Sequence, residues 1–307
     1  MNKELKLLRT LCEIHGPSGD ESEICRFILN YVSENKKSWK TQPEIYSGQG
    51  WQDNIILKFG EPRTAVFAHM DTVGFTVRYE NQLIPIGSPR LETGLSLRGR
   101  DHLGEIECTL VSDESNHALY HFGRPIATGT TLSFKPDFRM TNKYVSCCSM
   151  DNRLGVYNAL RLAETLENGI IVFSTWEEHG GGSVPYLIKY INETWNVRQA
   201  LVNDITWVTD GVKHGEGVVI SLRDRNVPRK VFTDKITLLA RKSGIPFQLE
   251  VEGSGSSDGR ELQQSPFPID WCFIGAPEKD AHSPNEKVHI RDISSMLEMY
   301  QFLMKSL

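Results

Sequence analysis

The sequence predicts an α/β fold, in which a mixed sheet is flanked by helices and a small β-rich domain is inserted. Apolar strand-like runs alternate with segments of helical periodicity before residue 76 and after residue 145. Between these positions, short alternating runs are broken by Gly, Pro, Asn and Asp. We therefore expect a main α/β domain of residues 1–75 plus 146–307, and an inserted β-rich domain of residues 76–145.

Composition excludes several classes of protein. The chain has 307 residues, of which 39% are hydrophobic and 24% charged, with a net charge of −5. This balance suits a globular protein with a buried core and gives no basic surface for nucleic acid. There is no secretory h-region and no apolar stretch of about 18 residues that could span a membrane. Six cysteines without a C-x-x-C pair are typical of reduced thiols, so we expect a cytoplasmic protein, most simply an enzyme.

The first segment combines helices with two strands. Ser18 and Glu21 have the spacing of a capping box, which predicts that a second helix begins there. Residues 54–59 and 64–68 are apolar runs that predict strands. The second strand ends at the segment His69-Met70-Asp71, at the edge where α/β sheets form their sites.

Strands and helices alternate again after the insertion. Asp292 is expected to cap the last helix. The predicted strands are 169–175, 199–203, 218–222, 247–251 and 270–275, and the other predicted helices are 151–166 and 231–242.

Acidic residues and histidines cluster where these strands end, while Asp151 opens a helix. The residues at strand ends are His69, Glu177, Glu178, Asp204 and His282. Each has a simpler interpretation alone, because Asp151 could be a helix cap, Asp204 a turn residue and His282 a loop histidine. Together they indicate one site, and histidine with carboxylate ligands suits zinc or cobalt in a catalytic centre.

Seven motifs carry a family resemblance. They are HGPSGDE, AHMDTVGF, SMDNRLG, WEEHGGG, VND, SSDG and IGAPEKDAHSP. The set resembles the dinuclear zinc aminopeptidases of metallopeptidase family forty-two, which include glutamyl aminopeptidase and the tetrahedral (TET) aminopeptidases. The resemblance implies an enzyme that removes N-terminal residues from short peptides and uses two divalent metal ions per subunit. Zinc is favoured, with cobalt or manganese as alternatives.

The resemblance also assigns the metal ligands. Asp151 corresponds to the carboxylate that bridges the two ions. His69 and Glu178 would complete one metal site, and Asp204 and His282 would complete the other. With one shared water, each ion would then have four ligands, as zinc prefers.

Further roles follow from the same resemblance. Glu177 would be the general base that activates the metal-bridging water. Asp71 would accept the second imidazole N–H of the histidine ligand two residues before it. Asp258 would face the substrate, and Gly180 and Gly181 would either donate N–H groups to the oxyanion or form a flexible turn.

Three questions stay open in the sequence. His179 could be a ligand, a proton relay or a bystander. The activity could instead be that of a dinuclear deacylase or a carboxypeptidase, or the chain could be a non-catalytic scaffold on the same fold. The inserted domain matches in position the family's smaller domain, which is similar to a dimerisation module. This implies a homo-oligomer built from dimers, up to a dodecamer.

Overall fold

A computed structural model describes residues 5–113 and 117–307. The helices are α1 (Leu5–Glu13), α2 (Ser22–Asn35), α3 (Met150–Ala163), α4 (Val184–Trp195), α5 (Lys230–Ser243), α6 (Asp258–Gln264) and α7 (Ile290–Ser306). The strands are β1 (Glu44–Tyr46), β2 (Ile55–Phe59), β3 (Ala65–His69), β4 (Gly74–Val77), β5 (Gln82–Ile86), β6 (Ser96–Asp101), β7 (Gly104–Ser112), β8 (Ala118–His121), β9 (Thr131–Phe134), β10 (Arg139–Met140), β11 (Tyr144–Ser146), β12 (Gly169–Ser174), β13 (Gln199–Trp207), β14 (Val218–Arg223), β15 (Phe247–Val251), β16 (Asp270–Lys279) and β17 (Lys287–His289).

A large mixed sheet organises the main domain. Its strand order is β1-β2-β12-β3-β13-β16-β17-β11-β10, and β14 and β15 extend it from β16. The central strands β12, β3, β13 and β16 run parallel, while β2, β14 and β17 pair antiparallel with them. The predicted fold class, a mixed α/β sheet with a small β-rich insertion, is confirmed.

Helices cover both faces of this sheet. Along β3, Val66 belongs to a core that includes α1, α3 and α7, whereas Phe67 belongs to a second core with α4. Successive side chains of a strand point to opposite faces, which explains the continuous apolar run of β3. Within residues 5–113 and 117–307, no helix is long and apolar enough to cross a membrane.

The insertion forms a closed barrel of strands β4-β5-β8-β7-β6-β9. It begins at Gly74 and ends at Phe134, and the next strands, β10 and β11, pair within the large sheet instead. Its buried residues, including Phe75 and Leu132, belong to the same apolar core as the helices of the main domain. The barrel therefore packs firmly against the sheet.

The predicted capping box at the start of α2 is wrong. The helix begins at Ser22, and Glu21 makes no capping bond from its side chain. Ser18 Oγ instead donates to Asp71 at 2.6 Å, and Glu21 Oε1 accepts from the N–H groups of Gly19 and Trp176 at 2.9 and 3.3 Å. Contacts formed in the tertiary structure therefore replace the predicted capping bonds of Ser18 and Glu21.

The predicted cap of the last helix is also wrong. Helix α7 begins at Ile290, and the side chain of His289 accepts from the N–H of Arg291 at 3.1 Å. Asp292 accepts instead from the backbone N–H groups of Gly215 and Gly217, at 2.7 and 2.9 Å. It therefore holds a distant loop. The sequence also predicts no helix over 184–195, where α4 lies.

Candidate active site

The carboxyl ends of parallel strands bring the candidate residues together. His69 is the last residue of β3 and lies opposite Ser174, the last residue of β12. The turn after β12 carries Glu177 and Glu178, and Asp204 lies within β13, which continues past the predicted end at 203. Asp151 lies in the first turn of α3, and His282 in the loop between β16 and β17.

Two groups of three residues share Asp151. His69 Nε2 lies 3.3 Å from Asp151 Oδ1 and 3.5 Å from Asp204 Oδ2. We call His69, Asp151 and Asp204 the inner triad. His282 Nε2 lies 3.2 Å from Asp151 Oδ2 and 3.2 Å from Glu178 Oε2. We call Asp151, Glu178 and His282 the outer triad. In each triad the candidate ligand atoms lie within 4.8 Å of one another.

The candidate ligands group differently from the predicted pairing. The sequence argument placed His69 with Glu178, and Asp204 with His282. In the structure, β3 and β13 are parallel neighbours with Phe67 opposite Val202, so the residues two positions further along stand side by side. Glu178 lies beyond a turn and reaches the loop of His282 instead.

These donors fit two divalent cations. Each triad combines an imidazole nitrogen with carboxylate oxygens and contains no thiolate, a set typical of zinc, cobalt or manganese in catalytic sites. Burial opposes ionisation of Asp151, but hydrogen bonding with His282 and His69 prevails and lowers its pKa below the ordinary value. Glu178 Oε1 is buried and has no protein partner among the described residues, which leaves it available to a cation.

Glu177 belongs to neither triad. Its Oε2 lies 3.9 Å from His69 Nε2, and the side chain is 15% exposed. Burial raises the pKa of this carboxyl well above its ordinary value. Together with both triads, Glu177 lines a cavity of about 330 Å³ that is open to solvent. A carboxyl with raised proton affinity, facing a cavity, is suited to accept and return a proton.

Asp71 supports the site through several contacts, but the predicted hydrogen bond from His69 is not formed. Its Oδ1 lies 3.4 Å from His69 Nδ1, which is outside hydrogen-bond geometry. It also accepts from the backbone N–H groups of Glu177 at 3.2 Å and Glu178 at 3.1 Å. With the bond from Ser18, these contacts fix the turn that carries both glutamates. The role of Ser18 was missed because its local spacing resembles a helix cap.

The barrel supports the other side of the site. Ser88 Oγ lies 2.8 Å from His282 Nδ1, and the N–H of Arg90 donates to the carbonyl of His282 at 2.9 Å. The N–H of Gly87 donates to His179 Nδ1 at 3.0 Å. His179 is exposed and lies in neither triad. These contacts join residues more than 90 positions apart, so no local sequence signal could have revealed them.

Left-handed backbone occurs in three segments that deliver site residues. Ser149, Trp176 and His282 have φ values of 63°, 64° and 59°. Such conformations are unfavourable for residues other than glycine and persist where the surroundings hold them. At the first segment, Glu286 Oε2 accepts from the backbone N–H of Asp151 at 3.2 Å. No sequence pattern indicated a role for this buried carboxyl.

The residues expected to contact substrate do not line the cavity. The N–H groups of Gly180 and Gly181 donate to carbonyls of their own turn, at 3.3 and 2.7 Å. Asp258 is 2% exposed and accepts from Ser174 Oγ at 2.7 Å. Among the described residues that line the cavity, none of these three appears.

Comparison with solved structures gives close matches of fold. An aminopeptidase of the archaeon Desulfurococcus kamchatkensis is 19% identical and covers 99% of this chain and 95% of its own, with a TM-score of 0.88. A TET aminopeptidase from a Thaumarchaeota archaeon of marine sediment is 18% identical over 100% and 97% of the two chains, with a TM-score of 0.87. The TET1 peptidase of Pyrococcus horikoshii, which can assemble into a tetrahedron or a large octahedral shell, is 22% identical over 98% and 99%, with a TM-score of 0.83.

A sequence profile supplies the family. The profile of the M42 glutamyl aminopeptidases matches residues 115–299, which is more than half of the chain. The matched part contains the turn of Glu177 and Glu178, both aspartates of the inner triad and His282. The protein is therefore a peptidase and belongs to the M42 glutamyl aminopeptidase family.

Proposed function

We propose that this protein is a di-metal aminopeptidase in which the inner and outer triads hold one divalent ion each. The observation that carries the proposal is the position of Asp151, whose two carboxylate oxygens face one histidine each. A shared carboxylate between two such groups is the arrangement of a two-metal hydrolase. Zinc suits this donor set, with cobalt and manganese as alternatives. When bound, the ions would supply Lewis acidity to the scissile carbonyl and the attacking water.

Glu177 is the general base of the proposed mechanism. Its Oε2 would take a proton from the attacking water and return it to the departing amine. The raised pKa supports this role, because a buried carboxyl binds the transferred proton more firmly than an exposed one. Asp71 would keep Glu177 in place through the backbone N–H of that residue.

The charge of the site favours a free N-terminus. Four carboxylates line the cavity around the triads, against two histidines. An α-ammonium group is therefore attracted to the site, whereas an acetylated N-terminus lacks that charge. The carboxylates are Asp151, Glu177, Glu178 and Asp204, and the histidines are His69 and His282.

Replacement of Glu177 by Gln tests the mechanism. We expect hydrolysis of short peptides to fall by about 10²–10⁴-fold or more, because the proton acceptor is lost while the triads remain. Mass spectrometry would follow the products from free and N-acetylated peptides, and elemental analysis would count the metal ions. Glu216→Gln changes an exposed glutamate outside the cavity and serves as the matched control.

Other outcomes would replace the proposal. Cleavage of the acetylated peptides would indicate a deacylase, and loss of residues from the carboxyl end would indicate a carboxypeptidase. Full activity in the Glu177→Gln variant would exclude that residue as the base. A protein that binds no metal and cleaves no peptide would be the non-catalytic scaffold.

We also propose that the protein forms a homo-oligomer through its barrel domain. In support, Ile84 and Leu103 of the barrel are 47% and 64% exposed, and exposed apolar groups favour association. The TET1 peptidase of Pyrococcus horikoshii, which shares the fold, assembles into closed shells. Light scattering would test this, and a single species of about 34.8 kDa would contradict it.

A further inference from the structure

The cavity continues past the two triads, and its outer wall is acidic. Asp224, Glu250 and Glu252 line this part. Among the described residues that line the cavity there is no lysine and no arginine, and neither Lys279 nor Arg260 contributes to the wall. The rest of the wall combines serine and threonine hydroxyls with apolar groups, including Phe273 and Trp207.

Glu250 is linked to the strand that carries Asp204. It lies opposite Ser221, which lies opposite Phe273 on the next strand, so the three side chains form a row on one face of the sheet. Glu250 Oε1 accepts from Thr206 Oγ1 at 2.6 Å. Thr206 follows Asp204 by two residues on β13, which places the two side chains on the same face and about 7 Å apart.

The acidic wall has no cation of its own. Glu250 is 4% and Asp224 is 9% exposed, and no ion pair joins either to a basic side chain among the described residues. Asp224 accepts instead from the N–H of Asn226 at 2.5 Å. Burial raises the pKa of both carboxyls, and repulsion from Glu252 and Asp224 raises that of Glu250 further. A positive group entering the cavity would relieve both effects.

We infer that this part of the cavity receives the side chain of the N-terminal substrate residue and selects lysine or arginine, an inference that rests on the proposed aminopeptidase function. The apolar stem would lie against Phe273 and Trp207, as the long stems of these residues commonly do on apolar surface. The cationic head would pair with Glu250 and Asp224. Trp207 is 41% exposed and lines the cavity, where a cation would meet its indole ring. An N-terminal glutamate, the residue in the family's description, would add a further negative charge and is disfavoured.

Pairs of substrates with similar side-chain shape but different charge distinguish recognition of charge from recognition of size. We would compare tripeptides that begin with lysine or norleucine, with arginine or citrulline, and with glutamate. Lysine should exceed norleucine in kcat/KM by about 10- to 100-fold, the range expected for hydrogen bonds to a charged group. Arginine should exceed citrulline similarly, and glutamate should be the poorest substrate. Equal rates for lysine and norleucine, or a preference for glutamate, would overturn the inference while leaving the aminopeptidase function intact.

Substitutions in the acidic wall test which residues cause the preference for lysine over norleucine. Glu250→Gln and Asp224→Asn should each reduce the lysine-to-norleucine ratio by about tenfold, whereas the control Glu216→Gln should leave that ratio unchanged. Thermal melting would show that each variant is folded. An unchanged ratio in both wall variants would contradict the assignment.

A binding measurement tests the pocket even if the protein cleaves no peptide. Calorimetry with the Glu177→Gln variant would compare the tripeptides Lys-Ala-Ala and norleucine-Ala-Ala. Tighter binding of the lysine peptide by about tenfold or more would support the pocket even if the proposed function failed. Equal binding of the two would overturn the pocket.

Discussion

His69 and His282, the two histidines of the proposed metal sites, have the same chemical type, but their surroundings differ. The side chain of His69 is 2% exposed and ends a central strand of the sheet, between β12 and β13. The side chain of His282 is 25% exposed, lies in a loop and has a left-handed backbone. Two residues of the inner triad thus come from neighbouring strands, whereas the outer triad combines a turn with a loop that bonds to the inserted barrel. Asp151 of α3 is common to both.

The two triads are therefore held in place in different ways. Pairing of β3 with β13 places His69 and Asp204 side by side, so this part of the inner triad belongs to the sheet. The outer triad depends on Ser88 and Arg90, which follow β5 of the barrel and bond to His282. We therefore expect changes in the barrel to disturb the outer triad and leave the inner one intact.

The largest expected difference is between His69→Ala and His282→Ala in the metal-free protein. Loss of His69 leaves buried carboxylates without their positive partner, which typically costs about 3–5 kcal/mol of the free energy of unfolding. Loss of His282, whose side chain is 25% exposed, leaves a position that water can enter and should cost less, about 1–3 kcal/mol. Urea denaturation would measure both.

Equal losses of stability in the two variants would contradict this comparison. Where His69→Ala does not fold, His69→Gln keeps a polar side chain in place and provides a milder form of the same test.

A smaller effect is expected for Ser88→Ala. Removing the hydroxyl frees the imidazole of His282, and loss of such a supporting contact typically weakens metal affinity by about 10- to 100-fold. Only one of two binding events in a calorimetric metal titration should weaken. Ser96→Ala, an exposed serine of the same barrel, is the matched control. Weakening of both events would show that the triads are not supported independently.

The smallest effect is expected for His179→Ala. The variant removes one neutral hydrogen bond, from Gly87, whose net value is about 1 kcal/mol, and solvent can replace it at this exposed position. Activity should fall by less than about fivefold, as kcat/KM assays would show, and His102→Ala should have no effect. A loss of about 10²-fold or more would instead identify His179 as a ligand or proton relay.

Much of the site could be predicted because sequence patterns reveal strands. The apolar runs before His69 and Glu177 marked parallel strands, whose carboxyl ends meet at one edge. The order of strands in the sheet could not be predicted in this way. Since β3 lies beside β13, and not beside the strand that follows it along the chain, the pairing of ligands needed the structure.

Local patterns failed where distant partners compete. The spacing of Ser18 and Glu21 fits a helix cap, yet the structure uses both residues to hold Asp71 and Trp176. Asp292 likewise fits a cap but binds a loop about 75 residues away. A side chain with two compatible partners takes the one that tertiary packing brings close, and a single sequence does not reveal that choice.

The bond between Ser88 and His282 joins positions 194 residues apart. Contacts of such separation close large loops and form after local structure during folding. Catalytic competence is therefore acquired as one of the last steps of maturation. During refolding from urea, recovery of peptide hydrolysis should lag behind recovery of the helical circular dichroism signal. Enzymatic turnover would then report the fully folded protein and not a compact, partly folded one.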